Sequence, residues 1–308
     1  MHKFLAVFAC VFASFGIASK AAQDAASGIP VKFTLTNETA GATPGSLSAQ
    51  ELTLHEERER RPITEVKLAG QNGAGMQLLL LIDDSARSSF GTQIQGLKQF
   101  VSALPATTEI GIGYMRNGTN QMACDFTRNH QEAANSIRLA MGAPGADVSP
   151  YDSISEAIKK WPQSKVERRQ IIVISSGIEA LGGGYALDNP YVNHAIEDAQ
   201  KAGTVVYAIY NPSAGMRGRF FWRSMWGQSF LSQLADETGG EAYNINMGEP
   251  VSLDPFLKDM QTRMMHQYIV TFSAKPENRP GLRRIKVALK EHDGRLAYPS
   301  RVFVRAGM

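Results

Sequence analysis

The sequence predicts an α/β fold, a doubly wound and mostly parallel sheet inserted into a small β-sandwich formed by the N- and C-terminal flanks. Three observations carry this expectation. Apolar residues alternate with a period of two near both ends of the chain, strand-like and helix-like segments alternate between them, and the run Leu78-Leu79-Leu80-Leu81-Ile82 stops abruptly at Asp83-Asp84-Ser85. Alternation marks a strand with one buried face, whereas an unbroken aliphatic run marks a strand covered on both. Such a strand belongs in the middle of an open sheet, and ligands of those sheets bind beyond the carboxyl ends of the strands.

In residues 29–70, Val31, Phe33 and Leu35 share one face, and Leu52 and Leu54 share another. A third candidate strand over 63–68 is less regular, because Val66 and Leu68 share a face that Ile63 does not. The charged run 56–61 reads as a solvated hairpin. Across 74–262, strands are expected at 76–82, 109–116, 170–174 and 205–210, with a short one at 242–245. Helices are expected near 90–104, 129–141, 153–161, 191–202, 230–237 and 255–265. Ile94, Leu97, Val101 and Leu104 recur at helical spacing, and Gly203 and Gly239 follow helix ends as C-terminal caps do. Residues 266–305 return to alternation through Tyr268, Val270, Phe272, then Ile285, Val287, Leu289, then Val302, Val304. Neither flank is large enough to bury a core alone, so the two are expected to pair.

With 308 residues, 43% hydrophobic and 20% charged, the composition is that of a folded globular chain. The formal charge is +3, yet Lys3 and Lys20 lie in the first 22 residues, and the remainder is close to neutral. That balance excludes the broad electrostatic footprint of a nucleic-acid binder. Lys3, the apolar run 4–17 and the small residues 18–22 read as a signal peptide, removed on export to the periplasm or the extracellular space. The run is shorter than the ~20 residues a spanning helix needs. After its removal Cys124 is the sole cysteine, which excludes an intrachain disulfide or a cysteine metal cluster. The six histidines show no metal-binding spacing. Gly182-Gly183-Gly184 lacks the Lys-Ser/Thr of a phosphate loop, and Gly227-Gln228-Ser229-Phe230-Leu231 lacks the last glycine of a nucleophile elbow. No enzyme is expected, although a serine hydrolase with a site assembled only in space stays open.

Several motifs, in order, resemble one family. Leu79-Leu80-Leu81-Ile82-Asp83-Asp84-Ser85 is similar to the start of a von Willebrand factor type A (VWA) domain, where Asp-x-Ser-x-Ser follows the first strand. Cys124-Asp125-Phe126-Thr127 resembles the second hairpin of such domains, and Tyr151-Asp152-Ser153-Ile154 a helix start in them. Leu234-Ala235-Asp236-Glu237-Thr238-Gly239-Gly240 resembles the segment before their last strand. The flanks, at 45–56, 268–272 and 284–287, resemble bacterial secreted VWFA-related proteins.

The resemblance implies a divalent cation held by Asp-x-Ser-x-Ser, a loop threonine and a later aspartate. Asp83 and Ser85 match, but Arg87 stands at the second serine, Val148 at the threonine with Ser149 adjacent, and Ser176 at the aspartate. A guanidinium repels a metal, by several kcal/mol at ~4 Å and intermediate dielectric. A degenerate site without metal or other cofactor is therefore expected. Arg87 either takes the place of the cation by pairing with Asp83, Asp84 or Asp147, or points to solvent. Ser88, Ser89 and Asp147 are the residues that could compensate in the alternative reading, metal-dependent adhesion. The 217–226 loop, with Arg217, Arg219, Trp222, Arg223 and Trp226, has the composition of a protein interface or of a membrane-surface contact. Together these features imply a protein-interaction module binding a protein or cell-envelope partner through Asp83, Asp84, Ser85, Arg87, Ser88, Ser149, Ser176 and that loop. The oligomeric state is not legible.

Overall fold

The computed structural model describes residues 28–39, 43–69, 75–143, 149–164, 166–180, 188–214, 221–245, 248–290 and 294–307. The middle of the chain forms the expected mostly parallel sheet, with six strands where the hydrophobic pattern predicts five; the added one is antiparallel, over Thr119–Thr127, the stretch whose Cys124–Thr127 resembles a hairpin. The strands are β5 (Met76–Asp83), β6 (Thr108–Arg116), β7 (Thr119–Thr127), β8 (Arg168–Ser175), β9 (Thr204–Tyr210) and β10 (Ala242–Tyr243), in the spatial order β10-β9-β8-β5-β6-β7. All neighbours are parallel except β6 and β7, which form an antiparallel hairpin turning at Asn117 and Gly118, both with positive φ. Every residue of β5 is buried, as its unbroken aliphatic run requires. Leu78, Leu80 and Ile82 enter the core on one face of the sheet, and Leu79 and Leu81 enter the core on the other. Strand order reverses at β5, so the crevice between the carboxyl ends of β5 and β8 is the topological switch point.

Among the described residues six helices cover the sheet: α1 (Ile94–Ser102), α2 (His130–Ser136), α3 (Pro150–Lys159), α4 (Pro190–Ala202), α5 (Phe221–Thr238) and α6 (Asp254–Met265). Ser149 caps α3 by accepting from the Asp152 amide (3.3 Å), and Pro150 follows in the first turn, where a missing N–H costs nothing. Three expectations need correction. The first helix breaks into a 3-10 turn (Ser88–Gln93) followed by α1. Helix α2 stops at Ser136 instead of running to 141, because side chains of the sheet claim the backbone that follows. Helix α5 begins at Phe221, nine residues before the expected start, so Trp222, Arg223 and Trp226 stand on a helix and not in a loop.

The two flanks interleave. The first supplies β1 (Ile29–Asn37), β2 (Leu52–Glu56), β3 (Glu59–Arg61) and β4 (Ile63–Leu68); the second supplies β11 (Gln267–Ala274), β12 (Gly281–Leu289), β13 (Leu296–Ala297) and β14 (Arg301–Val304). They form two antiparallel sheets, ordered β13-β1-β11-β4 and β14-β12-β2-β3, each drawing on both ends of the chain. One core holds Val31, Phe33, Leu35, Val270 and Phe272 from the first sheet with Leu54, Ile285, Val287 and Val302 from the second. The charged hairpin is not fully solvated: Glu56 and Arg61 are 3% and 7% exposed. Glu56 accepts from the Lys275 amide (2.8 Å), with Arg61 and Arg283 at 3.7 and 3.8 Å, and burial still pushes its carboxyl above the usual range.

A buried polar seam joins these sheets to the α/β unit. Gln267, the first residue of β11, accepts from Arg168 Nη1 (3.0 Å) and Gln170 Nε2 of β8 and donates to Tyr207 Oη of β9 (3.0 Å). Arg168 also donates to the Met264 carbonyl of α6 (3.3 Å), and burial lowers its guanidinium to about 10. Buried polar groups bonded across a junction fix one relative placement, since each broken bond leaves a desolvated atom. Where α5 turns into β10, backbone packs on backbone: a Cβ at Gly240 meets the Val206 carbonyl oxygen at 2.0 Å. Gly240→Ala is expected to lower stability by about 1–3 kcal/mol through overpacking. Gly281→Ala, at a site with nothing within 4 Å, is expected to stay within ~0.5 kcal/mol in the same urea titration.

Candidate functional site

The switch-point crevice is floored by buried polar side chains. Asp83, Asp84 and Ser85 are each 1% exposed. Asp83 folds the turn after β5 onto itself: Oδ1 accepts from the Ser85 amide (3.0 Å) and the Ser85 hydroxyl (2.6 Å). Its Oδ2 accepts from Ser175 Oγ at the end of β8 (3.3 Å), so one carboxylate bridges the two strands that flank the switch point. The Arg87 amide donates to the Ser213 carbonyl (2.8 Å), tying this turn to the one after β9. Behind it lies a buried chain in which Ser213 donates to Asn211 Oδ1 (2.8 Å), Asn211 to Gln93 (2.9 Å) and Gln93 to the Pro250 carbonyl (2.7 Å).

Asp84 faces the other way and meets a cation that is not Arg87. Arg138 Nη1 donates to Asp84 Oδ1 at 2.6 Å, and the Met141 amide donates to the same oxygen at 3.0 Å. The Gly142 amide donates to the Asp84 carbonyl (2.8 Å), and Arg116 Nη1 stands 4.0 Å from Oδ2. The guanidinium of Arg138 lies 3.8 Å above the Tyr114 ring centroid. The phenol of that tyrosine accepts from the Arg138 amide (2.7 Å) and donates to its carbonyl (2.9 Å). Burial pushes the Tyr114 phenol above its usual value, against the pull of Arg138, which keeps it a neutral donor. These contacts end α2 at Ser136: Ile137 is already extended, and the backbone after it bonds to Tyr114 and Asp84 rather than to the preceding turn.

Arg87 is half-buried and makes no ion pair among the described residues, so the expected pairing with Asp83 or Asp84 is not found; Asp147 and Val148 lie outside the described residues. Ser88 is exposed at the start of the 3-10 turn. Ser176 is buried beside the floor, donating its amide to the Ala214 carbonyl. Ser149 Oγ donates to Glu179 Oε2 (2.7 Å), and both side chains are buried. Tyr151 donates to the Gly177 carbonyl (3.0 Å), connecting that pair to the loop after β8; burial, then Glu179, hold its phenol well above its usual value. Helix α5 closes the crevice by backbone approach, since a Cβ at Gly227 meets the Ser176 carbonyl oxygen at 2.3 Å. Trp222 and Met225 are exposed on its first turns, and Trp226 stacks on Phe230 at 5.9 Å. Arg217 and Arg219 lie outside the described residues. Across the crevice Leu139 and Met141 are exposed on either side of the Asp84 clamp.

Sequence reasoning missed Arg116, Arg138 and Glu179. Arg116 was accessible, because parallel register sets Met115 beside Asp83 and the next residue beside Asp84. Glu179, four residues past the end of β8, was the one carboxylate near the expected aspartate position. Arg138 carries no signal, being 54 residues from its partner.

The donors do not fit a tightly held divalent cation. Hard cations need several convergent oxygens with uncommitted lone pairs. Here Asp83 Oδ1 accepts from the Ser85 amide and hydroxyl and its Oδ2 from Ser175, Asp84 Oδ1 accepts from Arg138 and the Met141 amide, and Ser149 Oγ accepts from the Asp152 amide. Among the described residues no group of three or more His, Cys, Asp and Glu side chains converges on one point.

The α/β unit is the doubly wound, mostly parallel sheet that the sequence led to expect. No protein-family model matches the chain, and no curated protein does. Solved structures similar to it include BatB from Bacteroides thetaiotaomicron, at 14% identity and TM-score 0.44, over 62% of this chain and 96% of that one. The PilB minor pilin of Streptococcus sanguinis matches at 14% identity and TM-score 0.43, over 64% and 62%. The SpRpn10 VWA domain matches at 11% and 0.41, over 60% and 94%.

The clamp has a measurable signature. Arg138→Met leaves Asp84 buried beside the more distant Arg116 and is expected to cost about 2–4 kcal/mol in urea unfolding. The double variant Arg138→Met, Asp84→Leu is expected to recover at least half of that loss. Additive losses in the double variant would show that the two side chains do not act as a pair.

Proposed function

We propose that the chain is an exported, non-enzymatic interaction module that binds a protein or envelope partner through the loops at the carboxyl edge of its six-stranded sheet. The observation that carries the reading is the contrast between floor and rim. Floor carboxylates Asp83 and Asp84 are buried and engaged by serine and arginine, while Leu139, Met141, Trp222 and Met225 stand exposed around them. Large apolar and aromatic side chains with arginines at their margin are the usual anchors of protein interfaces. Arg87 and Arg116 supply that margin. The N-terminal signal pattern supports export, and among the described residues no helix is long and apolar enough to cross a membrane.

A second reading, metal-dependent adhesion, is favoured only by the retention of Asp83 and Ser85 at their expected positions. One experiment separates the two. The wild-type chain is expected to capture a partner from the native envelope fraction equally with and without EDTA. Trp222→Ala with Arg223→Ala, and separately Leu139→Ser with Met141→Ser, are expected to lose capture at unchanged melting temperature. Capture by both variants would remove the carboxyl edge from the account, and capture abolished by EDTA would favour the metal-dependent reading. Binding to anionic liposomes that survives depletion of protein would assign the Trp222 patch to a membrane surface instead.

A further inference from the structure

At the opposite end of the six-stranded sheet, strand β1 has an open edge among the described residues. On one side it pairs with β11 along its length, from Ile29 to Thr36. On the other side β13 reaches only Thr36 and Asn37. The chain then passes Pro299, which has no amide hydrogen to continue a ladder, and becomes β14 of the second sheet. The Asn37 amide donates to His266 on the β11 side (3.1 Å), and the Glu38 amide to Arg295 on the β13 side (2.8 Å). Strand alternation therefore aims the N–H and C=O groups of Lys32 and Thr34 at the open side.

What they face is a cleft of about 860 Å³, walled by β1 from Gly28 to Thr34, the α4–β9 turn and the stretch from Pro299 to Gly307. Its walls are largely apolar, with Ala202, Val205 and Val302 among them. Gln200 and Thr204 also line it, both largely buried. The N–H and C=O groups of Lys32 and Thr34 on the open side call for an acceptor and a donor. A peptide backbone carries both; an acyl chain carries neither. The charged residues lining the cleft are Lys32, Lys201 and Arg305, with no carboxylate. Lys32 pairs with Glu167 and Lys201 with Glu197, whereas Arg305 is exposed and makes no ion pair among the described residues.

We propose that this cleft receives an extended segment of a partner protein, added as a strand to the open edge of β1, with an acidic residue at the Arg305 end. Strand addition takes affinity from main-chain hydrogen bonds and specificity from the pockets beside them. A second copy of the chain is a poorer occupant, because it brings the same cations and the same Pro30, which lacks a donor, to the same edge.

The test is amide hydrogen exchange on the whole chain with three synthetic probes at millimolar concentration. One is a capped heptapeptide of alternating valine and threonine with glutamate at both ends. The second is the same peptide ending in lysines, and the third is the glutamate peptide N-methylated at alternate amides. The glutamate peptide is expected to slow exchange at Lys32 and Thr34 by at least about tenfold, and the other two by much less. Arg305→Glu is expected to reverse the preference between glutamate and lysine ends. Lys32→Pro, which removes one amide aimed at the cleft, is expected to abolish binding; Lys32→Thr, which keeps that amide, is expected to retain it. Equal protection by all three probes, or none by any, overturns the proposal. So does slow exchange at Lys32 and Thr34 in the chain without peptide, with or without residues 1–27, since the edge is then not open.

Discussion

The ion pair between Asp84 and Arg138 is the interaction on which the carboxyl edge depends. Asp84 follows a strand buried on both faces, so its charge sits where desolvation is costly and a partner is required. Arg138 supplies that partner while stacked on Tyr114, and the same carboxylate takes the Met141 amide. One buried charge thus ends a helix, pins the stretch from Ile137 to Gly142 over the sheet, and leaves Leu139 and Met141 exposed at the rim. Asp83 does the complementary work across the switch point, holding its own turn through Ser85 and the end of β8 through Ser175. The two adjacent carboxylates divide the edge between them, each engaged from within the fold.

The other end of the α/β unit is built on different terms. Gln267 joins three strands by hydrogen bonds to Gln170, Tyr207 and the Arg168 guanidinium, so the two antiparallel sheets are placed by polar atoms buried at a junction. The turn at Pro299 that lets one segment serve both sheets also leaves β1, among the described residues, without a second paired strand over most of its length. An engaged carboxyl edge and an open strand edge are thus separate surfaces, one suited to side-chain anchors and the other to a main-chain ladder.

How much of this was legible follows from where each signal resides. Strand β5 announced itself, because no other element places an unbroken aliphatic run before two carboxylates. The α/β class followed from the alternation of periods, a property of local sequence. Helix α2 was overextended because its apolar spacing continues to Met141, while the contacts that stop it come from Tyr114 and Asp84, remote in sequence. The start of α5 was hidden for the opposite reason: Trp222, Met225, Trp226 and Phe230 place apolar groups on exposed and packed faces alike, which erases the helical period. Glu56 and Arg61 read as solvated because their burial depends on Lys275 and Arg283, more than two hundred residues away. The site was located by its first strand but not completed. Arg87 reads either as pairing with a nearby aspartate or as pointing to solvent; the arginine that pairs with Asp84 is Arg138, which only the tertiary fold brings there.

The central claim is that the carboxyl edge balances its buried carboxylates from within. It is tested most directly by differential scanning calorimetry of the wild-type chain across a Mg²⁺ and Mn²⁺ titration, with EDTA reversal. The account predicts a melting temperature that does not move with either cation or with the chelator. A rise with metal that EDTA reverses, and that Asp83→Ala abolishes, would contradict it, because a ligand that stabilises the fold must bind the folded state.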